Sequence, residues 1–178
     1  MHNISQKALG SGNSQTVNVY LPIDDKHPLY GALQGIIKNI SDDPDFEGFI
    51  EELLCYTHSR TVIGLEGKLK QAGKEELLEE AMDLKEKFAK KLEKEQLSTT
   101  VQHFYAHILS YIKTVFKTKI RPLLAQGCSV TKIESAIYEE IVLNIYAETS
   151  ATLPELTTDH IAGMLYYLTG KCHLSWRV

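Results

Sequence analysis

Residues 74–97, KEELLEEAMDLKEKFAKKLEKEQL, decide the fold class of this chain. Apolar residues recur along this stretch in steps of four, three, four and four: Leu77, Ala81, Leu84, Phe88 and Leu92. That spacing places them on one face of an α-helix, with charged side chains on the remaining surface. Acidic residues fill the first half and lysines the second, which matches the helix macrodipole. The stretch therefore predicts a long amphipathic helix that needs partner helices.

The charged side of this helix allows two interpretations. Asp83 with Lys87, and Glu86 with Lys90, stand four residues apart, which is the spacing of ion pairs along a helix. A solvated face is the ordinary interpretation, and a docking face for a partner helix is the alternative. We take Lys87 and Lys91 as candidate partner contacts on this face.

Helical patterns also surround this stretch. Upstream, one helix is predicted from Pro28 to Ser41, and the Asp43-Pro44 pair predicts the start of another. A loop and a short helix are expected between residues 57 and 73. Downstream, Ser98 is placed to cap a helix that ends at Gly127. Pro122 is expected to kink that helix or to end it early.

Two further helices are predicted near the end of the sequence. Residues 131–134, TKIE, have the pattern of a capping box. Four isoleucines follow at strict steps of four: Ile133, Ile137, Ile141 and Ile145. A last helix over residues 159–169 is expected to stop at Gly170. Strand patterns are scarce, so the predicted class is all-α, a multi-helix bundle.

Residues 1–27 differ from the rest of the chain. They are rich in Asn, Ser, Gln and Gly, and they hold too few apolar side chains to offset the entropy of ordering. We interpret them as an extended polar arm or tether, followed by a helical domain over residues 28–178. The alternation of Val17, Val19 and Leu21 leaves open one strand or an arm that pairs with a partner's copy.

Composition excludes several classes of protein. The 178 residues are 43% hydrophobic and 24% charged, as in ordinary folded domains. The net charge of -4 argues against a chain that coats nucleic acid or anionic membrane. Cys55, Cys128 and Cys172 form no Cys-x-x-Cys spacing, which favours a reducing cytoplasm. Neither a membrane span nor the apolar core of a signal peptide is apparent.

Two patterns could carry chemistry. His103 and His107 have the spacing with which two imidazoles share a metal ion, so a small metal-dependent enzyme is the alternative function. They lie opposite the apolar side of their helix, however, and no adjacent glutamate offers a general base. Residues 64–68 lack the lysine-serine or lysine-threonine end of a phosphate loop. We predict no catalytic residue, no bound metal and no cofactor.

A basic ridge suggests a third function. Lys113, Lys117 and Arg121 could neutralise phosphates in a nucleic-acid-binding module. The charges are few, and the aromatic residues of this helix lie on its apolar side, where they could not stack with bases. We therefore expect a solvated ridge and no direct binding of nucleic acid.

The C-terminal residues form the last candidate site. Trp176 is the single tryptophan of the chain, and burying an indole stabilises a protein by about 2–3 kcal/mol. The segment is therefore expected to pack, against its own domain or, as the alternative, against another subunit. Cys172, His173 and Trp176 are our candidate partner contacts here.

Several segments together resemble a known family. They are FIEEL at residues 49–53, VIGLEGKL at 62–69, KEKFAKKL at 85–92 and GMLYYLTGKCHLSW at 163–176. They resemble the C-terminal domains of bacterial ABC-three-component systems, and the similarity is expected to cover residues 28–176. The polar lead-in is similar to the tethers that join such domains to an N-terminal effector.

The resemblance implies a non-catalytic module of a bacterial anti-phage or anti-plasmid defence system. Its implied partners are an ABC-type ATPase and a small middle component, which control an effector, and the module is expected to form a homo-oligomer in the cytoplasm. The family's usual layout places an effector domain before such a module. Whether this chain is a C-terminal fragment or a free subunit stays open.

Overall fold

The computed structural model describes residues 27–39, 49–58, 63–95 and 98–177. Within these ranges the chain forms seven helices and no strand, which confirms the all-α class. The predicted polar arm lies outside the described residues apart from His27. The predicted helix start at Asp43-Pro44 also lies outside them.

The helices follow the order of the chain. Their bounds are Pro28–Asn39 (α1), Glu51–Thr57 (α2), Gly64–Gln71 (α3), a 3-10 turn Glu75–Leu77 continued by Leu78–Lys94 (α4), residues 99–125 (α5), residues 130–149 (α6) and Thr158–Gly170 (α7). The long amphipathic helix predicted over residues 74–97 is thus present as α4, and it ends at Lys94. None of the helices in the described residues is both long and apolar enough to cross a bilayer.

The core lies between α4, α5 and α7. Helices α4 and α7 pack against each other along most of their length, α1 and α2 pack on α5, and α3 packs on α7. The predicted apolar face of α4 is buried, with Leu84 half-buried at its edge. Phe88 stands at the centre, where its ring meets Tyr105 of α5 at 5.7 Å and Tyr167 of α7 at 5.3 Å, both edge-on.

A glycine sets the distance between α4 and α7. A Cβ atom on Gly163 would collide with the carbonyl oxygen of Leu84 and would lie 2.9 Å from the Cβ of Phe88. The backbones of the two helices therefore approach more closely than any other residue at this position permits. Ring packing around Phe88 depends on that approach.

Two π-helical turns interrupt α5 and α6. They are Phe116–Ile120 in α5 and Tyr138–Leu143 in α6. In a regular α-helix, side chains four residues apart drift around the axis by about 40° per step. The wider turn offsets this drift, so all four isoleucines of α6 stay buried.

Helix α5 does not end early at Pro122. It continues to Ala125, so that alternative of the prediction is wrong. Proline lacks an N–H and disrupts the regular hydrogen bonds of the preceding turn. Here that preceding turn is already π-helical, and Pro122 stands in the first turn of the segment Arg121–Ala125, where the missing N–H is tolerated.

The helix caps confirm one prediction and correct two others. Ser98 caps α5, its Oγ accepting a hydrogen bond from the Val101 N–H at 3.3 Å. Helix α6 begins earlier than predicted, at Val130, because the Ser129 Oγ accepts a hydrogen bond from the Lys132 N–H at 3.4 Å. The predicted capping box at residues 131–134 therefore lies within the helix. Helix α7 includes Gly170, and the left-handed residue that follows it is Cys172, with φ 67°.

Candidate interaction surfaces

The C-terminal segment, residues 171–177, packs on its own domain. Trp176 is 2% exposed, and its Nε1 donates a hydrogen bond to the Thr169 Oγ1 at 2.9 Å. Its ring stacks on Tyr166 at 6.2 Å and meets Phe116 at 5.4 Å. The indole therefore joins the end of the chain to α5 and α7, and it lies beneath the surface rather than on it.

Helices α2 and α3 also hold this segment. The Lys68 ammonium donates to the carbonyl oxygen of Leu174 at 2.6 Å, and the His173 ring meets the Tyr56 ring edge-on at 5.3 Å. Burial lowers the pKa of Lys68, and the nearby Cys172 thiol acts in the opposite direction. The segment is thus fixed at several points along its length.

Alternate residues of the segment face in opposite directions. Leu174 and Trp176 are buried, whereas Ser175 and Arg177 are exposed. This is the two-residue period of extended backbone. The sequence analysis does not predict that Ser175 and Arg177 are exposed. The alternation of the apolar residues Leu174 and Trp176 is the signal that predicts it.

The lysines of α4 pair differently from the sequence prediction. Glu86 and Lys90 form the predicted ion pair at 2.8 Å. Lys87 does not pair with Asp83, because Asp159 at the start of α7 lies 2.6 Å from its Nζ. The Lys91 Nζ lies between Glu95, at 3.2 Å, and Glu155, at 3.6 Å, and its side chain is only 13% exposed.

Lys87 and Lys91 share a cavity, which we call the lysine groove. Its volume is about 430 Å³, and it is lined by Lys87, Lys90, Lys91, Lys94, Glu95, Glu155 and His160. An apolar cleft of about 220 Å³ adjoins it and includes Val101, Tyr105, Leu153 and Pro154. The structure therefore brings both predicted lysine contacts to one groove beside an apolar cleft.

Helix α7 begins at the lysine groove with a capping box. The Thr157 Oγ1 accepts from the His160 N–H at 3.4 Å, and the His160 Nδ1 accepts from the Thr157 N–H at 3.2 Å. Burial lowers the pKa of His160 below its ordinary value, the Lys91 and Lys87 ammonium groups lower it further, and Asp159 partly opposes them.

This lowered pKa predicts that acid destabilises the fold through His160. Unfolded His160 takes up a proton near pH 6.5, whereas folded His160 resists protonation until a lower pH. The free energy of unfolding should therefore fall as the pH falls from 6.5 toward the folded pKa. His160→Gln keeps an acceptor for the capping box but does not titrate. Urea denaturation at a series of pH values should show the wild type losing stability relative to this variant, and a constant difference between the two would contradict the prediction.

His103 and His107 lie at a cavity between α2 and α5. The cavity has a volume of about 320 Å³, and Glu52 and Cys55 of α2 also line it. Helix α2 thus partly covers the face that the sequence predicted to be wet, and His103 is half-buried while His107 is exposed. Among the described residues, no three His, Cys, Asp or Glu side chains are grouped in a way that could hold a metal ion.

The basic ridge of α5 carries no aromatic side chains. Lys113, Lys117 and Arg121 are exposed, as expected. Phe104, Tyr105 and Phe116 are buried on the opposite side of the helix. The rings of Phe104, Tyr105 and Phe116 therefore do not lie beside these charges, where single-strand-binding proteins place their stacking rings.

A comparison with protein families identifies the chain. The model of C-terminal domain 9 (CTD9) of the ABC-three component (ABC-3C) systems matches residues 64–176. The chain belongs to this family. The matched part of the CTD9 domain runs from α3 to Trp176, whereas the resemblance was expected to begin at residue 28. No curated protein and no solved structure matches this CTD9 domain.

Both candidate surfaces of the CTD9 domain lie within the matched residues. The lysine groove belongs to α4, α7 and the turns beside them, and the C-terminal segment lies within the match up to Trp176. Helices α1 and α2 lie outside the match and pack on α5. The family match therefore covers the residues that form these surfaces.

Proposed function

We propose that this CTD9 domain is a non-catalytic interaction and oligomerisation module. It couples an ABC-type ATPase to an effector in a cytoplasmic bacterial defence system against phage. The observation that carries the proposal is the C-terminal segment, which is fixed to four helices and leaves Cys172 and His173 half-buried and Ser175 and Arg177 exposed. Membership of the ABC-3C family supports protein partners within such a system.

The segment has a buried side and a partner-facing side. Trp176 acts from below as the anchor, because its ring and its N–H are both satisfied inside the domain. Cys172 and His173 are half-buried at the surface and are the proposed contacts. A backbone that is already ordered loses little conformational entropy when a partner binds.

The lysine groove is the second proposed contact. Lys87 is 51% exposed and reaches solvent beside the apolar cleft, whereas Lys91 is held by two glutamates at the floor. The proposed partners are the ABC-type ATPase and the small middle component of the system. In this proposal residues 28–178 form the module, and residues 1–27 tether it to the rest of the assembly.

Charge reversal at the groove tests the proposal. Lys87→Glu should weaken binding of the ATPase and middle component, measured by co-purification and by titration, by about tenfold, because it puts a negative charge at the contact. His173→Ala should weaken the same binding through the C-terminal segment.

Lys113→Glu is the matched control. It reverses one exposed lysine on α5, away from both surfaces, and should leave binding unchanged. If Lys87→Glu and His173→Ala both bind as tightly as this control, the two surfaces are not the contacts. A loss of binding in all three variants would point to net charge instead of a defined surface.

A further inference from the structure

One exposed face of α4 has its charges sorted along the helix. Its acidic end consists of Glu76, Glu79 and Asp83, and its basic end consists of Lys87, Lys90 and Lys94, all exposed. We call this the charge-sorted face. At 1.5 Å per residue, α4 with its first turn is about 30 Å long. The two ends therefore form separate patches of opposite charge on one straight surface.

The helix macrodipole explains this sorting only at the two ends of α4. It favours acids and bases only within the first and the last turn of a helix. Asp83 and Lys87, however, lie at the middle of α4 and keep to the same order. Pairing along the helix does not explain it either, because Asp83 forms no ion pair with any described residue.

The pattern is complementary to itself when reversed. If a second α4 lies antiparallel on the first, with the two-fold axis near Lys85, then Asp83 faces Lys87 of the copy. Glu76 faces Lys94, Glu79 lies within one residue of the position opposite Lys90, and the symmetry repeats each contact. Like charges face each other in a parallel arrangement. The charges thus specify the direction of the pairing.

Other side chains of the face fit such a contact. Met82 is 45% exposed at the edge of the face, which makes it one of the few large hydrophobic side chains left in solvent among the described residues. Glu86 is also exposed, and its carboxylate is paired with Lys90 of the same helix.

We infer that a second copy of this chain docks on the charge-sorted face, antiparallel and about a two-fold axis. This inference rests on the oligomerisation part of the proposed function and names the contact. Exposed ion pairs are individually weak and are screened by salt. The dimer therefore forms reversibly, and its dissociation constant rises steeply with ionic strength.

Charge reversal with compensation tests the inference. The acid-reversed variant carries Glu76→Lys, Glu79→Lys and Asp83→Lys, and the base-reversed variant carries Lys87→Glu, Lys90→Glu and Lys94→Glu. Sedimentation equilibrium at low salt should show that each variant alone self-associates about tenfold or more weakly than the wild type, since like charges then face each other. An equimolar mixture of the two should form a heterodimer.

Two measurements keep this test decisive. Circular dichroism shows whether the variants fold. A second variant, Asp83→Lys with Lys87→Asp, changes only two charges at the middle of the helix. In this variant the lysine at position 83 faces the aspartate at position 87 of the copy, so opposite charges still meet. Dimerisation should therefore persist. A wild type that stays monomeric at low salt, or a mixture that fails to associate, overturns the inference.

The failure of this inference can be told from the failure of the proposed function. The acid-reversed variant leaves Lys87, Lys91 and the C-terminal segment unchanged. It should therefore still bind the ATPase and middle component while it fails to self-associate. Self-association that resists both charge reversals, with intact ATPase binding by the acid-reversed variant, overturns the inference and leaves the proposed function standing.

Discussion

Replacing Trp176 with alanine is expected to lower the free energy of unfolding by about 3–5 kcal/mol, as for other large aromatic residues removed from a core. The indole is buried between Phe116 and Tyr166, and its hydrogen bond to Thr169 is lost with it. For a domain of this size the midpoint of thermal unfolding should fall by about 10 °C or more. Circular dichroism during heating and in urea measures both quantities.

Two milder variants separate packing from hydrogen bonding. Trp176→Phe keeps an aromatic ring and should lose less stability than the alanine variant. Thr169→Val keeps the shape of its side chain but leaves the indole N–H without its acceptor, at a cost of about 1–3 kcal/mol. An alanine variant as stable as the wild type would show that the segment contributes no packing energy.

Replacing Gly163 with alanine is expected to destabilise the domain by about 3 kcal/mol, at the upper end of the range for overpacked cores. The new Cβ would collide with the carbonyl oxygen of Leu84, and a backbone atom inside a helix has little room to move. Helices α4 and α7 must separate, which loosens the rings around Phe88. Urea denaturation measures the loss.

Gly31→Ala is the matched control for this change. Gly31 is an exposed glycine within α1, and a Cβ there would meet no atom within 4 Å. Alanine should therefore stabilise the domain at this position by about 0.5–1 kcal/mol through helix propensity. The two substitutions are chemically identical but opposite in expected sign. Equal effects at both sites would contradict the role of Gly163 in helix contact.

The helical architecture could be predicted because its signals are local. The apolar stripe of α4, the Ser98 cap and the single tryptophan each depend on residues near one another in sequence. The same locality explains the errors. The four-residue spacing predicts that Lys87 pairs with Asp83, but the tertiary fold brings Asp159 to Lys87 instead.

The sequence carries a signal for the π-helical turn of α6. Four isoleucines at strict steps of four do not stay on one face of a helix with 3.6 residues per turn. Their spacing therefore required a wider turn, and residues 138–143 provide it. A strict four-residue repeat in a single buried helix is thus a usable indicator of a π-helical insertion.

The candidate surfaces were only partly predictable. Lys87 and Lys91 were chosen from a charge pattern, but the lysine groove also needs Glu155 and His160, which lie more than sixty residues further along the chain. Likewise, the surroundings of His103 and His107 depend on α2, which packs on α5. A helical wheel of α5 alone cannot predict that packing. Sites built from several helices are defined by packing, and packing is not local.

The buried indole also makes the protein its own optical probe. The chain holds one tryptophan, so all indole fluorescence comes from the C-terminal segment. In the docked state the ring lies out of water against Phe116 and Tyr166. Its emission therefore reports, without any attached dye, whether the segment stays seated when a partner arrives.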